Sequence, residues 1–299
     1  MLRMNTPLAS KHHGPTPAAA AHALPAGQGT LVARAAVLAL HDELALAPKP
    51  GLVSFADSGS HDDMDAQTFL RSLMALRGYF GAIHGLGAQG APFAALERCG
   101  IAAEATMLQA TQGINTHRGA IFILGLLCAA VGRVQAHGGA ATPEAVRDAL
   151  RATWGAELAE RAQRTSQLPG GVAARRWGLR SASEEAALAF PAVFEVGLPA
   201  WRQAQSAGWS HQQVQAQAFF ALLGQLDDCN LAHRGGLKGL HWARAQAHGF
   251  LAVGGAGAPG WEASAWALHR RFVARRLSPG GCADGLSALC FLQRVGRIA

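Results

Sequence analysis

Apolar residues recur every three or four positions along most of this chain, the period of helices with one buried face. Phe69, Leu70, Leu73, Leu76 and Phe80 form one such stripe and predict a helix that starts near Asp65 or Ala66 and ends at the glycines from Gly81 to Gly90. Thr30 caps an earlier helix running to about Ala47. Pro92 opens one that reaches about Thr111. Ala120–Ala136 contains the longest apolar run, Ile121–Val131, which is too short to span a bilayer and reads as a buried core helix. Thr142-Pro143-Glu144 starts a helix to about Arg164, and Ser210-x-x-Gln213 is a capping box for one ending near Leu226. Ser183–Ala207 is helical but interrupted by Pro191 and Pro199. Leu237–Leu251, Trp261–Arg276 and Gly285–Val295 complete the set. No alternating strand pattern runs beyond a few residues. The pattern predicts an all-α fold, a single multi-helix bundle whose junction loops form a cleft.

Composition agrees with helices: half of the 299 residues are hydrophobic, Ala and Leu abound, and there is one Tyr. A net charge of +7 suits polyanionic partners, whether nucleic acid, a membrane surface or a nucleotide phosphate chain. The five cysteines are scattered without C-x-x-C spacing, so neither a zinc site nor a disulfide framework is signalled, and a reducing cytoplasm is expected. Residues 1–29 lack a continuous apolar core and read as a flexible leader rather than a signal peptide. Residues 30–299 read as the all-helical catalytic domain.

The chemistry is concentrated in polar stretches at helix junctions. Pro48–Asp65 places His61, Asp62, Asp63 and Asp65 after a proline-bounded run that contains Lys49. Carboxylates this close together call for a counter-ion or a ligand, although one of them capping the next helix is the structural alternative. Gly113–Gly119 carries Asn115, Thr116, His117 and Arg118; a base in a first helical turn opposes the dipole but fits a phosphate site. Asp227–Gly236 combines Asp227, Asp228, Asn230, His233 and Arg234 before Gly235-Gly236. Ser278–Asp284 is a further polar, glycine-rich helix entry. Leu168–Arg180, rich in glycine and arginine, reads as the one long irregular stretch, either a lid or a solvated basic loop.

Four of these stretches carry a resemblance. Pro48-Lys49-Pro50-Gly51-Leu52-Val53 with Gly59-Ser60-His61 and Asp63-Met64-Asp65 looks like the signature of the triphosphoribosyl-dephospho-CoA synthases. Gly113–Phe122 is similar to that family's G-x-N-T-H-[KR]-G-x-I-F, and Asp227–Gly236 to D-D-T-N-L-L-H-R-G-G, with Cys229 and Ala232 departing from it. Leu277–Asp284 resembles L-S-P-G-G-x-A-D. Residues 171–178 match the family poorly, because nothing fills the acidic place of its G-A-R-G-E-A-like run. Ser54–His61 looks more like the malonate decarboxylase branch than the citrate lyase branch.

The resemblance implies transfer of the 5-triphosphoribosyl group of ATP to 3'-dephospho-CoA with release of adenine. The product is the prosthetic-group precursor for an acyl carrier protein, handed on to the holo-acyl carrier protein synthase route. Such chemistry needs a carboxylate near a cationic ribose, an acid for adenine, a base for the attacking hydroxyl and cations for phosphates. Lys49, Arg118 and Arg234 are the phosphate-binding candidates. Asp63 or Asp65 would stabilise the ribose or act as base. Asp227 and Asp228 would hold Mg²⁺ or do the base work, and His61, His117 and His233 would be acid/base or hydrogen-bonding groups. Asn115 and Asn230 would orient the sugar, with Thr116, Gly235, Gly236, Ser278 and Gly280 also lining the nucleotide site. Neither nucleic acid nor a membrane is an expected partner. Two other readings compete: an HD-type metal phosphohydrolase using His61-Asp62 and His41-Asp42 with His84 and Asp148, and a basic nucleic-acid-binding helical module.

Overall fold

A computed structural model describes residues 27–298, and among them every regular element is helical. The first described helix is α1 (Gln28–Ala45), which starts two residues before the expected cap at Thr30; the rest of the expected leader, residues 1–26, lies outside the described residues. The stripe from Phe69 to Phe80 is split between α2 (Ala66–Ala75) and α3 (Arg77–Ala88), which break at Leu76. Glycines 81, 85 and 87 lie inside α3 rather than ending it. Packing explains Gly87: a Cβ there would sit 2.0 Å from the Ala129 carbonyl oxygen, so only glycine lets the two helices approach this closely.

Next come α4 (Phe93–Ala110), α5 (Arg118–Ala136) and α6 (Pro143–Ala162), the last capped by the Thr142 hydroxyl as its sequence suggests. The stretch read as irregular, Leu168–Arg180, is instead largely helical: α7 spans Pro169–Trp177. Its proline stands at the first helical position, where φ is already set and no N–H is lost, and Gly178 closes it at φ +62°. Two glycines near its start hid the pattern. A short α8 (Ala182–Ala187) and a π-helical turn at Ala192–Gly197 lead into α9 (Leu198–Ser206) and α10 (His211–Gln225), the latter entered through the expected capping box. Helix α11 (Cys229–Ala252) starts before the Gly-Gly break and kinks at Gly236, which has φ +62°. The chain closes with α12 (Trp261–Ala274) and α13 (Gly280–Val295).

Helix α5 is the axis of the bundle, packed by α1, α3, α4, α6 and α13. Leu124, Leu127, Cys128 and Val131 on it are fully buried. It is long and apolar enough to cross a membrane, but most of it is enclosed by the other helices, as the core reading expected. Each such leucine contributes about 1.5–3 kcal/mol through burial. The N-termini of α5, α7, α11 and α13 open onto one cavity, so the bundle positions the site by where its helices begin.

Candidate active site

That cavity encloses about 1500 Å³ and is walled by parts of all four motif stretches. From the first come His61 and Asp63; from the second, Asn115, Thr116, His117 and Arg118; from the third, Asp227, Asp228, Asn230, His233 and Arg234; from the fourth, Ser278, Gly280 and Asp284. The three histidines, far apart in sequence, therefore share one space. Arg161, Arg164, Arg175 and Arg180 add positive charge from α6, α7 and the segments that follow each. Free N–H groups and dipoles at helix starts favour anions, and arginines reinforce them. Part of the wall is apolar, with Phe69, Tyr79, Ile83, Phe93 and Leu96 from α2, α3 and α4. A polyanion with an attached flat ring matches both halves.

His61 joins three stretches. Its Nε2 lies 2.8 Å from Ser278 Oγ, and Arg234 donates to its Nδ1 at 3.1 Å, with Asp63 3.5 Å from the same nitrogen. Arg234 also donates to the carbonyls of Ser60 and Arg276. Burial first, then the Arg234 charge, hold the His61 pKa below the usual imidazole value. Gly51, at φ +72°, lets this loop lie against the Leu277 carbonyl, 2.1 Å from where a Cβ would stand. Arg118 pairs with Glu104, and its backbone N–H is capped by Asn115 Oδ1 at 3.2 Å.

Asp228 ties two helix starts together. Its Oδ1 accepts from the N–H groups of Asn230 and Leu231, and its Oδ2 from that of Cys282 at the start of α13, each at 3.0 Å. Asp227 accepts the Arg180 N–H at 2.9 Å and pairs with Arg244. Asp228 thus caps α11 from the cavity wall, and Asp227 stands beside it on the same wall.

Four of the candidates stand outside the cavity wall: Lys49, Asp65, Gly235 and Gly236. Lys49 is 1 % exposed and does not line the cavity; its ammonium bonds the carboxylate and the carbonyl of Glu43. In this placement it is the buried counter-ion of Glu43. Asp65 lies outside the wall and caps α2, accepting from the Thr68 N–H and hydroxyl. Gly235 and Gly236 also lie outside: one makes room for Leu277 and the other kinks α11.

Six acids in the wall were not among the sequence candidates: Glu43, Glu97, Glu104, Glu184, Glu185 and Asp284. Glu43 had no sequence signal. Asp284 had one, as the last residue of its stretch. Asp284 lies over Gly119, where a Cβ would stand 1.9 Å from Oδ2. Burial, then the nearby Asp228 and Glu43 charges, push its pKa well above the usual carboxylate range.

Comparison with known proteins fits this geometry. The family model described as CitG: ATP:dephospho-CoA triphosphoribosyl transferase matches residues 30–299. The chain belongs to this family. A probable 2-(5''-triphosphoribosyl)-3'-dephosphocoenzyme-A synthase of Acinetobacter calcoaceticus is 37% identical over 257 residues, covering 86% of this chain and 88% of the relative. The 2-(5''-triphosphoribosyl)-3'-dephosphocoenzyme-A synthase of Klebsiella pneumoniae is 37% identical over 271 residues, covering 88% and 94%. No solved structure matches. As a member of the CitG family the chain is an enzyme of the triphosphoribosyl-dephospho-CoA synthase type. The HD-type reading finds no support among the described residues: no group of three or more His, Cys, Asp or Glu is arranged to hold a metal, and Asp62 pairs with Arg276, Asp42 with Arg294 and His84 with Gln135.

Proposed function

We propose that this chain transfers the 5-triphosphoribosyl group of ATP to the 2'-hydroxyl of 3'-dephospho-CoA, releases adenine, and supplies the prosthetic-group precursor of malonate decarboxylase. The observation that carries the reading is the convergence of four motif stretches of a CitG-family chain on one cavity large enough for two nucleotides. The bond from ribose C1 to adenine N9 breaks with its electron pair going to the purine, and the hydroxyl oxygen bonds C1. The hydroxyl proton goes to Asp63, the open carboxylate beside His61, which also faces the positive charge developing on the ribose. Asp284, whose pKa its surroundings push well above the usual carboxylate range, is the acid for adenine. Arg118, Arg234 and the helix starts bind phosphates, and Asn115, Asn230 and His233 orient sugars. Asp227 and Asp228, which line the cavity, would hold Mg²⁺ brought in with ATP, and the ion would neutralise phosphate charge.

The assignment to malonate decarboxylase rests on the run Ser54–His61. The same product serves citrate lyase. The product passes to the route that attaches it to an acyl carrier protein, and the cytoplasm, where ATP and CoA precursors are made, is the proposed compartment. Incubating the purified protein with ATP and 3'-dephospho-CoA should release adenine only when both are present. Deleting the gene should abolish malonate decarboxylation; loss of citrate cleavage instead would assign the other branch, and failure to release adenine would refute the transferase.

A further inference from the structure

No periodicity or motif marks Ser72, a fully buried residue of α2. Its hydroxyl oxygen is 2.6 Å from Nδ1 of His117, and the Thr116 hydroxyl donates to that same oxygen at 2.7 Å. An oxygen that accepts from Thr116 keeps its own proton, and donating that proton to Nδ1 leaves the nitrogen bare. In a neutral imidazole the proton then lies on Nε2. Burial first, and the Lys49 charge second, push the His117 pKa down to about 3, so the ring is neutral at physiological pH.

His117 lines the cavity, and its Nε2 is buried with no hydrogen-bond partner. Its backbone N–H meets the Met107 sulfur, and its ring packs edge-on against Phe69 at 4.9 Å. A buried donor left unpaired is costly and points to use by a ligand. A neutral ring is a poor partner for a phosphate but a good donor to an uncharged heterocycle. The adjoining wall of Phe69, Tyr79, Leu96 and Ile121 suits a flat base.

We propose that Ser72 and Thr116 lock His117 in the Nε2–H tautomer, and that this N–H donates a hydrogen bond to a ring nitrogen of the departing purine as electron density builds there. Ser72 is a positioning residue, and His117 keeps its proton throughout. The proposal rests on the transferase reading above.

Long-range proton–nitrogen spectra of histidine-labelled protein read the tautomer directly. His117 should show a bare Nδ1 and a protonated Nε2, and Ser72→Ala should produce a mixture; an Nδ1–H form in the wild type overturns the lock. In the adenine-release assay His117→Ala should lower kcat about 100-fold, with KM for ATP changed far less. His117→Gln, whose amide N–H reaches the Nε2 region, should recover most of that loss. Ser72→Ala should slow the wild type several-fold yet leave the His117→Gln enzyme unchanged. If His117→Gln is no better than His117→Ala, or if Ser72→Ala is equally harmful in both backgrounds, the purine contact is wrong. A wild type that releases no adenine refutes the transferase reading and the contact with it, while the spectra still decide the Ser72–His117 lock.

Discussion

Lys49 offers a sharp division between scaffold and site. Its ammonium lies 2.6 Å from Glu43 Oε1, and the two side chains are 0% and 6% exposed. Burial lowers its pKa, and the Glu43 charge and hydrogen bond oppose that shift. Lys49→Met preserves the aliphatic stem but leaves a buried carboxylate without its partner. Breaking such a pair costs about 3–5 kcal/mol, which in a chain of this size lowers Tm by roughly 10 °C. Adding Glu43→Gln removes the orphaned charge and should restore much of the loss. Urea unfolding followed by tryptophan fluorescence measures the stability, and adenine release well below Tm measures the site. The expected result is a large loss of stability with an unchanged KM for ATP. A Lys49→Met protein of wild-type stability whose KM for ATP rises sharply would refute the argument and return Lys49 to the phosphates.

Gly119→Ala would place a Cβ 1.9 Å from Asp284 Oδ2 and displace that carboxyl. Adenine release should fall by about 100-fold with helix content intact by circular dichroism; an unchanged rate would remove Asp284 from the chemistry. Arg234→Met removes bonds to the Ser60 and Arg276 carbonyls and to His61. Because Arg234 is the second cause lowering the His61 pKa, NMR titration should find that pKa raised, and KM for the nucleotides should rise with it. Neutral His117 contributes stability that is complete above its unfolded pKa near 6.5 and is lost as pH falls toward about 3. Urea titrations across that window should show the wild type losing up to about 1.4 kcal/mol per pH unit more than His117→Gln; identical slopes would contradict a buried neutral ring.

Much of the fold is legible because its signals are local. The side-chain caps at Thr142 and Ser210 and the proline before α4 mark helix starts that need no knowledge of neighbours. The errors lie where a distant contact decides. Glycines inside α3 look like terminators until Ala129 is seen against Gly87. The arginine-rich stretch looks irregular because Gly170 and Gly171 dilute a helix that is held by packing against α11. The four polar stretches were visible, but which of their residues face the cavity was not. Asp65 and Asp63 are the same residue type two positions apart, yet one caps α2 and the other opens to the cavity. That both oxygens of Asp228 also hold the starts of α11 and α13 was not legible, because Cys282 lies 54 positions away. Ser72 carries no signal at all, since its role exists only through a bond to a residue 45 positions away.

The central claim is that the purine leaves while the triphosphate stays on the sugar. ATP labelled in its γ-phosphate, incubated with 3'-dephospho-CoA and the purified protein, tests this most directly. All of the label should appear in a covalent dephospho-CoA product, in step with the adenine released. Label recovered as free phosphate or pyrophosphate, with adenine still on its ribose, would contradict it.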